Sequence, residues 1–155
     1  MFRKFLLSAL IGAVCVAFTV ILSGATQAKA AGALVDLPSF VIVIIAPFLI
    51  VTASFGLRAT SRAFGAPFDE AATVRELKTA KAWFASLMRY IAAFAVFAFS
   101  IAFVMIMVYA AGQDSSIVGK NFAVAILGVF YASVFPIFLI LPFRQAIDAR
   151  LAERE

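Results

Sequence analysis

The chain has 155 residues, 65% of them hydrophobic and 14% charged, with a formal net charge of +5. A soluble domain of this size cannot hide that much apolar surface, so the composition excludes an ordinary water-soluble globule. Histidine is absent and Cys15 is the only cysteine. That removes intrachain disulfides, zinc sites and histidine-based catalysis.

Charged residues are missing from positions 5–28, 37–57, 90–113 and 121–143. Each stretch reaches the ~20 residues that an α-helix needs to cross the hydrocarbon core. The expected fold is all-α: one polytopic membrane domain over residues 1–155, with spans at about 5–22, 37–57, 90–111 and 121–143. The loops are too short for a second domain.

Span one carries Ser8 and Gly12 four apart, beside a stripe of Ala9, Ala13 and Ala17, a spacing that lets helices approach closely in lipid. Cys15 is expected to pack as a small buried apolar residue. Arg3-Lys4, the apolar run and Ala28-Lys29-Ala30 also fit a secretory signal, but the run at 5–22 is 18 residues, longer than such regions usually are. Its removal would leave three spans and put the two ends on opposite sides, so retention is expected.

Span two begins at Leu37-Pro38-Ser39, with Asp36 just outside, and Pro38 or Ser39 near the first turn suits a helix start. Pro47 in mid-span removes one backbone hydrogen bond and is expected to bend the helix, with Thr52 and Ser54 available to satisfy the freed carbonyl. The segment at 58–89 breaks at Gly65-Ala66-Pro67; Asp69-Glu70 are expected to open a helix whose acidic first turn suits the macrodipole. Val74, Leu77, Phe84 and Leu87 give that helix an apolar face, and it is expected to run directly into span three. Trp83, Arg89 and Tyr90 mark the bilayer interface. Span three holds Ser100. A tight loop with Gly112, Asp114, Ser115, Ser116 and Gly119 leads to span four, which contains Gly128, Tyr131, Ser133, Pro136 and Pro142. The charged tail from Arg144 is expected to continue as a short helix or fray.

Basic residues set the topology. Arg3, Lys4, Arg58, Arg62, Arg75, Lys78, Lys81, Arg89, Arg144, Arg150 and Arg154 fall on one side of a four-span chain, leaving Lys29 and Lys120 for the other. Lys and Arg concentrate on cytoplasmic loops, so 58–89 and both termini are expected in the cytoplasm. This distribution accounts for the net charge without a nucleic-acid partner. No carboxylate falls within a span, which argues against a self-sufficient proton pump. A substrate transporter lacks charged or broken-helix binding groups at mid-membrane. Enzyme activity and a cofactor are not expected.

Taken in order, these features resemble the MotA-type flagellar stator proteins, relatives of the TolQ and ExbB proton-channel subunits. Leu34-Val35-Asp36-Leu37-Pro38-Ser39 is similar to the family's Asp-x-Pro-Ser entry into span two. Glu76-Leu77-Lys78 followed by Arg89-Tyr90 resembles the lead-in of its shorter members. Asp114-Ser115-Ser116-Ile117-Val118-Gly119, then Phe122-Ala123-Val124-Ala125-Ile126-Leu127, resembles its last loop and fourth-span opening, with Tyr131 and Pro136 in matching places. The resemblance implies a bacterial inner-membrane subunit of an ion-driven complex: five copies around single-span MotB-like partner helices that supply the ion-carrying aspartate. Two departures stand out. Ser100-Ile101 replaces the family's Gly-Thr in span three, and Gly128 replaces a Thr in span four. The large rotor-engaging domain is also missing. Losing the pore hydroxyls leaves a drier face, beside which desolvating an ion is costly.

The expected function is therefore a MotA-like subunit of an ion-driven complex, with Thr52, Ser54, Ser100 and Ser133 as candidate pore-side groups. The alternative is a non-conducting membrane scaffold derived from that family. In either case Arg75, Glu76, Lys78 and Lys81, on the charged helix, are the candidate partner-docking residues.

Overall fold

The computed structural model describes residues 2–22, 36–110 and 115–154. Every regular element among them is helical. In chain order they are α1 (Phe2–Leu22), α2 (Leu37–Phe55), α3 (Leu57–Gly65), α4 (Val74–Tyr109), α5 (Ser115–Phe135) and α6 (Leu141–Ala152). Three helical runs are long and apolar enough to cross a bilayer: Leu37–Phe55, Val74–Val108 and Phe122–Ala152. On α1 the apolar stretch Phe5–Phe18 is shorter. Residues 23–35 of the expected first outer loop at 23–36, with the signal-like Ala28-Lys29-Ala30, and Gly112 and Asp114 lie outside the described residues.

Two prolines shape the long helices in the same way. A π-helical turn, Val41–Ile45, closes with the Ala46 N–H donating five residues back to the Val41 carbonyl, and Pro47 follows. A second, Pro136–Ile140, closes with the Leu141 N–H donating to the Pro136 carbonyl, and Pro142 follows. A proline ring collides with the carbonyl four residues before it, and the widened turn makes room for it. This corrects the expectation for Thr52 and Ser54. The Ser54 hydroxyl donates to the Ile50 carbonyl at 2.8 Å, a turn beyond the proline, and the buried Thr52 hydroxyl has no partner.

At the charged end, α4 is one uninterrupted helix of 36 residues, about 54 Å long at 1.5 Å per residue. As expected, it runs from the charged segment into the apolar one. Its start is not at Asp69-Glu70. Thr73 caps it: the Thr73 hydroxyl accepts from the Glu76 N–H at 3.2 Å, and Glu76 accepts from the Thr73 N–H at 2.9 Å. Asp69 instead accepts from the Ala71 N–H at 3.0 Å and shapes the turn between α3 and α4. A capping box satisfies two orphan donors at once, which an acidic pair without that spacing cannot do.

Leu77, Ala80, Phe84, Leu87 and Ile91 form the buried face of α4, while Val74 is 39% exposed. Trp83 is not an interfacial anchor. It is fully buried, with its indole Nε1 donating to the Thr60 hydroxyl at 3.0 Å. Around it lie Phe48 from α2, Phe64 from α3 and Phe84, with ring centroids 5.7, 5.3 and 5.0 Å away. Phe143 stacks on Phe84 at 5.1 Å, and Phe5 from α1 meets Phe143 edge-on at 4.9 Å. Five helices thus deliver rings to one cluster. Each fully buried aromatic contributes about 1.5–3 kcal/mol relative to exposure in water, with about 0.5–1.5 kcal/mol more for a well-placed ring pair.

The tail does not fray. α6 continues through Ile147, which is fully buried, to Ala152. From it Arg150 donates to the Asp69 carbonyl at 3.0 Å, and Arg154, just past its end, donates to the Glu70 carbonyl at 2.8 Å and to the Ala72 carbonyl. These carbonyls belong to a non-helical turn, so charged donors from α6 replace the missing ladder.

On α1, Gly12 faces the π-turn of the last long helix: a Cβ there would sit 3.4 Å from Ile137. The small-residue expectation holds at that contact. Cys15 is exposed, not buried, because it lies on the face of α1 turned away from the bundle.

Candidate functional site

Two places in this framework gather residues with chemistry. One is an apolar cavity of about 280 Å³ near the start of α2, whose lining includes Asp36, Ser39, Phe97, Ile101, Val124 and Gly128. Asp36 is the N-cap of α2, accepting from the Ser39 N–H at 2.9 Å. Its own N–H donates to the Tyr131 hydroxyl at 2.7 Å, which pins the start of α2 to α5. Phe40 meets the same ring edge-on at 5.8 Å.

Ile101 and Gly128, the two departures from the family pattern, therefore share one cavity. Each presents hydrocarbon or nothing to it. A Cβ on Gly128 would lie 3.5 Å from Val43 and 3.9 Å from Ala98, ordinary contact distances, so an alanine fits there without rearrangement. Asp36 lies beside Phe97–Ala102 of α4 and Val124–Gly128 of α5, short of the hairpin's tip. From Ala102, α4 continues to Tyr109, about 10 Å further. Along that extension Phe103, Val104, Met105, Met107 and Val108 are all exposed.

The four hydroxyls expected beside a pore are not brought together at this cavity. Ser54, Ser100 and Ser133 each donate to the carbonyl four residues earlier in their own helix, Ile50, Val96 and Val129, at 2.8, 2.7 and 2.9 Å. Such back-bonding is the usual fate of a serine in an apolar helix. Thr52 is buried and unpartnered, and none of the four lines the cavity.

The second place is a cleft of about 630 Å³ between α3 and α4 at the charged end, lined by Phe55, Arg58, Arg62, Arg75, Glu76 and Thr79 among others. α3 begins after Gly56, whose φ of 85° and ψ of 154° suit glycine and turn the chain out of α2. Arg62 spans the cleft's rim, bonding Asp69 at 2.9 Å and Glu76 at 3.0 Å. The hydrogen bond to Asp69, then the nearby Glu76 charge, raises the guanidinium's pKa. Asp69 is held below its ordinary carboxylate value, first by the Ala71 N–H and then by Arg62. Glu76, on the charged lead-in of α4 well before its charge-free part, is lowered first by the Thr73 N–H and hydroxyl.

The expected docking residues divide here. Glu76 is committed to the cap and to Arg62, and Lys81 pairs with Asp148 at 2.7 Å. Arg75 and Lys78 are exposed; Arg75 borders the cleft, and Lys78 lines a shallower groove beside it with Phe55 and Val74. Arg58, Arg62 and Thr79 were not anticipated as a site. Their signal was the four-residue spacing of Arg58 with Arg62 and of Arg75 with Thr79, which puts each pair on one helix face. Among the described residues, no group of three His, Cys, Asp or Glu could hold a metal ion.

No protein-family model, no curated protein and no solved structure matches this chain.

Proposed function

We propose that the chain is a four-span, MotA-like packing subunit of an oligomeric bacterial inner-membrane complex, with both ends in the cytoplasm, acting with a single-span partner that carries the ion. One observation carries this reading: among the described residues, most apolar side chains on the far half of the α4–α5 hairpin are exposed. Val96, Phe97, Ile101, Val104, Met105, Met107, Val108, Phe122, Val124 and Val129 are all exposed, at 42% or more of their surface. Lipid covers part of such a surface; copies of the chain and a partner helix cover the rest. The resemblance in residues 34–39 and 114–127 and the one-sided basic residues support the same reading.

Purification in mild detergent, followed by mass measurement of the intact complex, tests it. The expected result is several copies with a co-purifying single-span protein. A homogeneous monomer that co-purifies with nothing overturns it.

A specific observation favours the non-conducting alternative. Ile101 and Gly128 offer the cavity no hydroxyl, and the hydroxyls of Ser54, Ser100 and Ser133 donate to carbonyls of their own helices. Under that reading the chain contributes packing surfaces alone. Proton flux into liposomes, compared between the natural chain and Ile101→Thr with Gly128→Ser, decides between the two. Flux in the natural complex equal to that of the variant removes the scaffold reading; flux only in the variant removes conduction.

A further inference from the structure

The cleft between α3 and α4 holds more positive charge than its own carboxylates balance. Arg58 and Arg62 stand one turn apart on α3, and Arg75 and Thr79 stand one turn apart on α4, and all four line the same cleft. Glu76 is the carboxylate in that lining, and its oxygens are engaged by Arg62, the Thr73 N–H and the Thr73 hydroxyl. Asp69 holds the other side of the Arg62 guanidinium, at 2.9 Å. Arg62 is thereby fixed in orientation and neutralised. Arg58 and Arg75 are exposed, and their guanidinium groups make no ion pair or hydrogen bond among the described residues.

The floor of the cleft is apolar. Phe55, the last residue of α2, lines it together with Ala59, Ala63 and Ala80. Leu57, the residue before Arg58, is 79% exposed, an apolar side chain just past the end of a helix long enough to span a bilayer. Two unbalanced guanidiniums above an apolar floor, at the end of an apolar helix, match a ligand that is anionic at one end and hydrocarbon at the other. Guanidinium groups bind phosphate oxygens in pairs, and basic pockets at the cytoplasmic ends of membrane helices recognise anionic head groups in this way. At about 630 Å³ the cleft has the size of a small-molecule site.

We propose that this cleft binds the phosphate of an anionic phospholipid, with Arg58 and Arg75 contacting the phosphodiester and Phe55 and Leu57 meeting the first carbons of the acyl chains; the Thr79 hydroxyl, which donates to the Arg75 carbonyl at 2.9 Å, holds the wall between them. The proposal rests on the membrane-spanning reading above, but not on ion conduction or on any partner.

The test uses the full chain in nanodiscs containing equal amounts of phosphatidylglycerol and phosphatidylcholine, with retained lipid counted by native mass spectrometry. The natural chain should retain phosphatidylglycerol over phosphatidylcholine by about thirtyfold, the size expected of two surface arginines at about 1 kcal/mol each on an anionic head group. Arg58→Gln with Arg75→Gln should bring that ratio to parity, and Arg58→Lys with Arg75→Lys should keep part of it. Both arginines are exposed, so these variants should keep the helical circular dichroism of the natural chain. A ratio unchanged in the Gln variant overturns the proposal. So does phosphatidylglycerol that added inorganic phosphate displaces completely, because the site would then recognise the free anion. Preference lost only on adding a soluble acidic peptide assigns the cleft to a protein partner, and also overturns it. Failure of the chain to insert into nanodiscs at all removes the membrane reading itself and is distinguishable from these outcomes.

Discussion

The two ends of this bundle are built on different principles. At the charged end, α1, α2, α3, α4 and α6 converge on one aromatic cluster, and the bulkiest fully buried side chains, Trp83 and Phe84, lie there with Leu77, Leu87 and Ile147. At the far end, α4 and α5 stand as a hairpin with mostly exposed apolar side chains, and buried positions such as Ile106, Ala125 and Leu127 are few. The first end is held by its own packing and polar caps. The second depends on what surrounds it. Lipid tails are as apolar as the side chains they replace, so exposure there costs little, whereas the charged end must exclude water by itself.

Substitution of Trp83 tests the difference most strongly. Trp83→Ala empties the centre of the aromatic cluster and orphans the Thr60 hydroxyl, and should cost about 3–5 kcal/mol in a denaturant titration of the micelle-bound protein. Val108→Ala, on the hairpin where the side chain is 63% exposed, should stay within about 0.5 kcal/mol. Equal losses at the two positions would mean that the hairpin carries a packed core of its own.

The next effect concerns the turn that joins α3 to α4. Arg150 and Arg154 hold the carbonyls of Asp69, Glu70 and Ala72 from across the bundle. Replacing both by alanine should cost about 1.5–3 kcal/mol, the range for a hydrogen bond to a charged group, since part of the turn reaches water instead. Amide exchange at 70–76 should accelerate while exchange at 98–106 stays unchanged. Lysine at both places should restore little, because it lacks the planar fork that serves two carbonyls at once.

A smaller change separates backbone strain from crowding. At Gly56 an added Cβ would meet nothing within 4 Å, yet φ is 85° with ψ at 154°, a region nearly closed to other residues. Gly56→Ala should therefore cost about 1–3 kcal/mol despite the open space. Gly128→Ala, with an ordinary backbone and contacts of 3.5 Å, should be close to neutral on the same titration. A reversed order would mean that the hairpin end is the more tightly packed of the two.

This contrast also explains what could be read without a structure. The continuous α4 was legible because Leu77, Phe84 and Leu87 recur at helical spacing for long enough to outweigh its charges. Its true start was legible too, in Thr73 three residues before Glu76, but the acidic pair Asp69-Glu70 is the louder signal and misdirects. The role of Trp83 was not legible. Aromatic residues beside Arg and Tyr suit a membrane interface equally well, and only the arrival of Phe48, Phe64 and Phe143 from distant parts of the chain buries it. With 18 phenylalanines in the sequence, no local pattern marks the few that turn inward. α3 was hidden because the Gly-Ala-Pro break drew attention from the nine residues before it. At the candidate sites, the sharing of one cavity by Ile101 and Gly128 follows from the register of α4 against α5, which sequence spacing does not specify.

Acid should act on one end alone. Asp69 and Glu76 both have pKa values depressed by hydrogen bonds and by Arg62, so the folded state keeps them ionised to lower pH than the unfolded chain does. Through that window the unfolded state binds more protons, so stability rises with pH there; it is complete above the ordinary carboxylate range and is lost as pH falls through the folded values. Thermal unfolding should thus be flat from neutral pH down to about pH 5 and decline below about pH 4. Both groups are well solvated, so the decline should be modest and should shrink with added salt. Asp69→Asn with Glu76→Gln should lower the plateau and flatten the acid limb together. Protection factors, corrected for the intrinsic slowing of amide exchange in acid, should fall at the α3–α4 turn, while those of α4 from 90 to 109, a stretch with no carboxylate, should not respond. An acid limb that survives unaltered in the double variant would place the responsible group outside the α3–α4 turn.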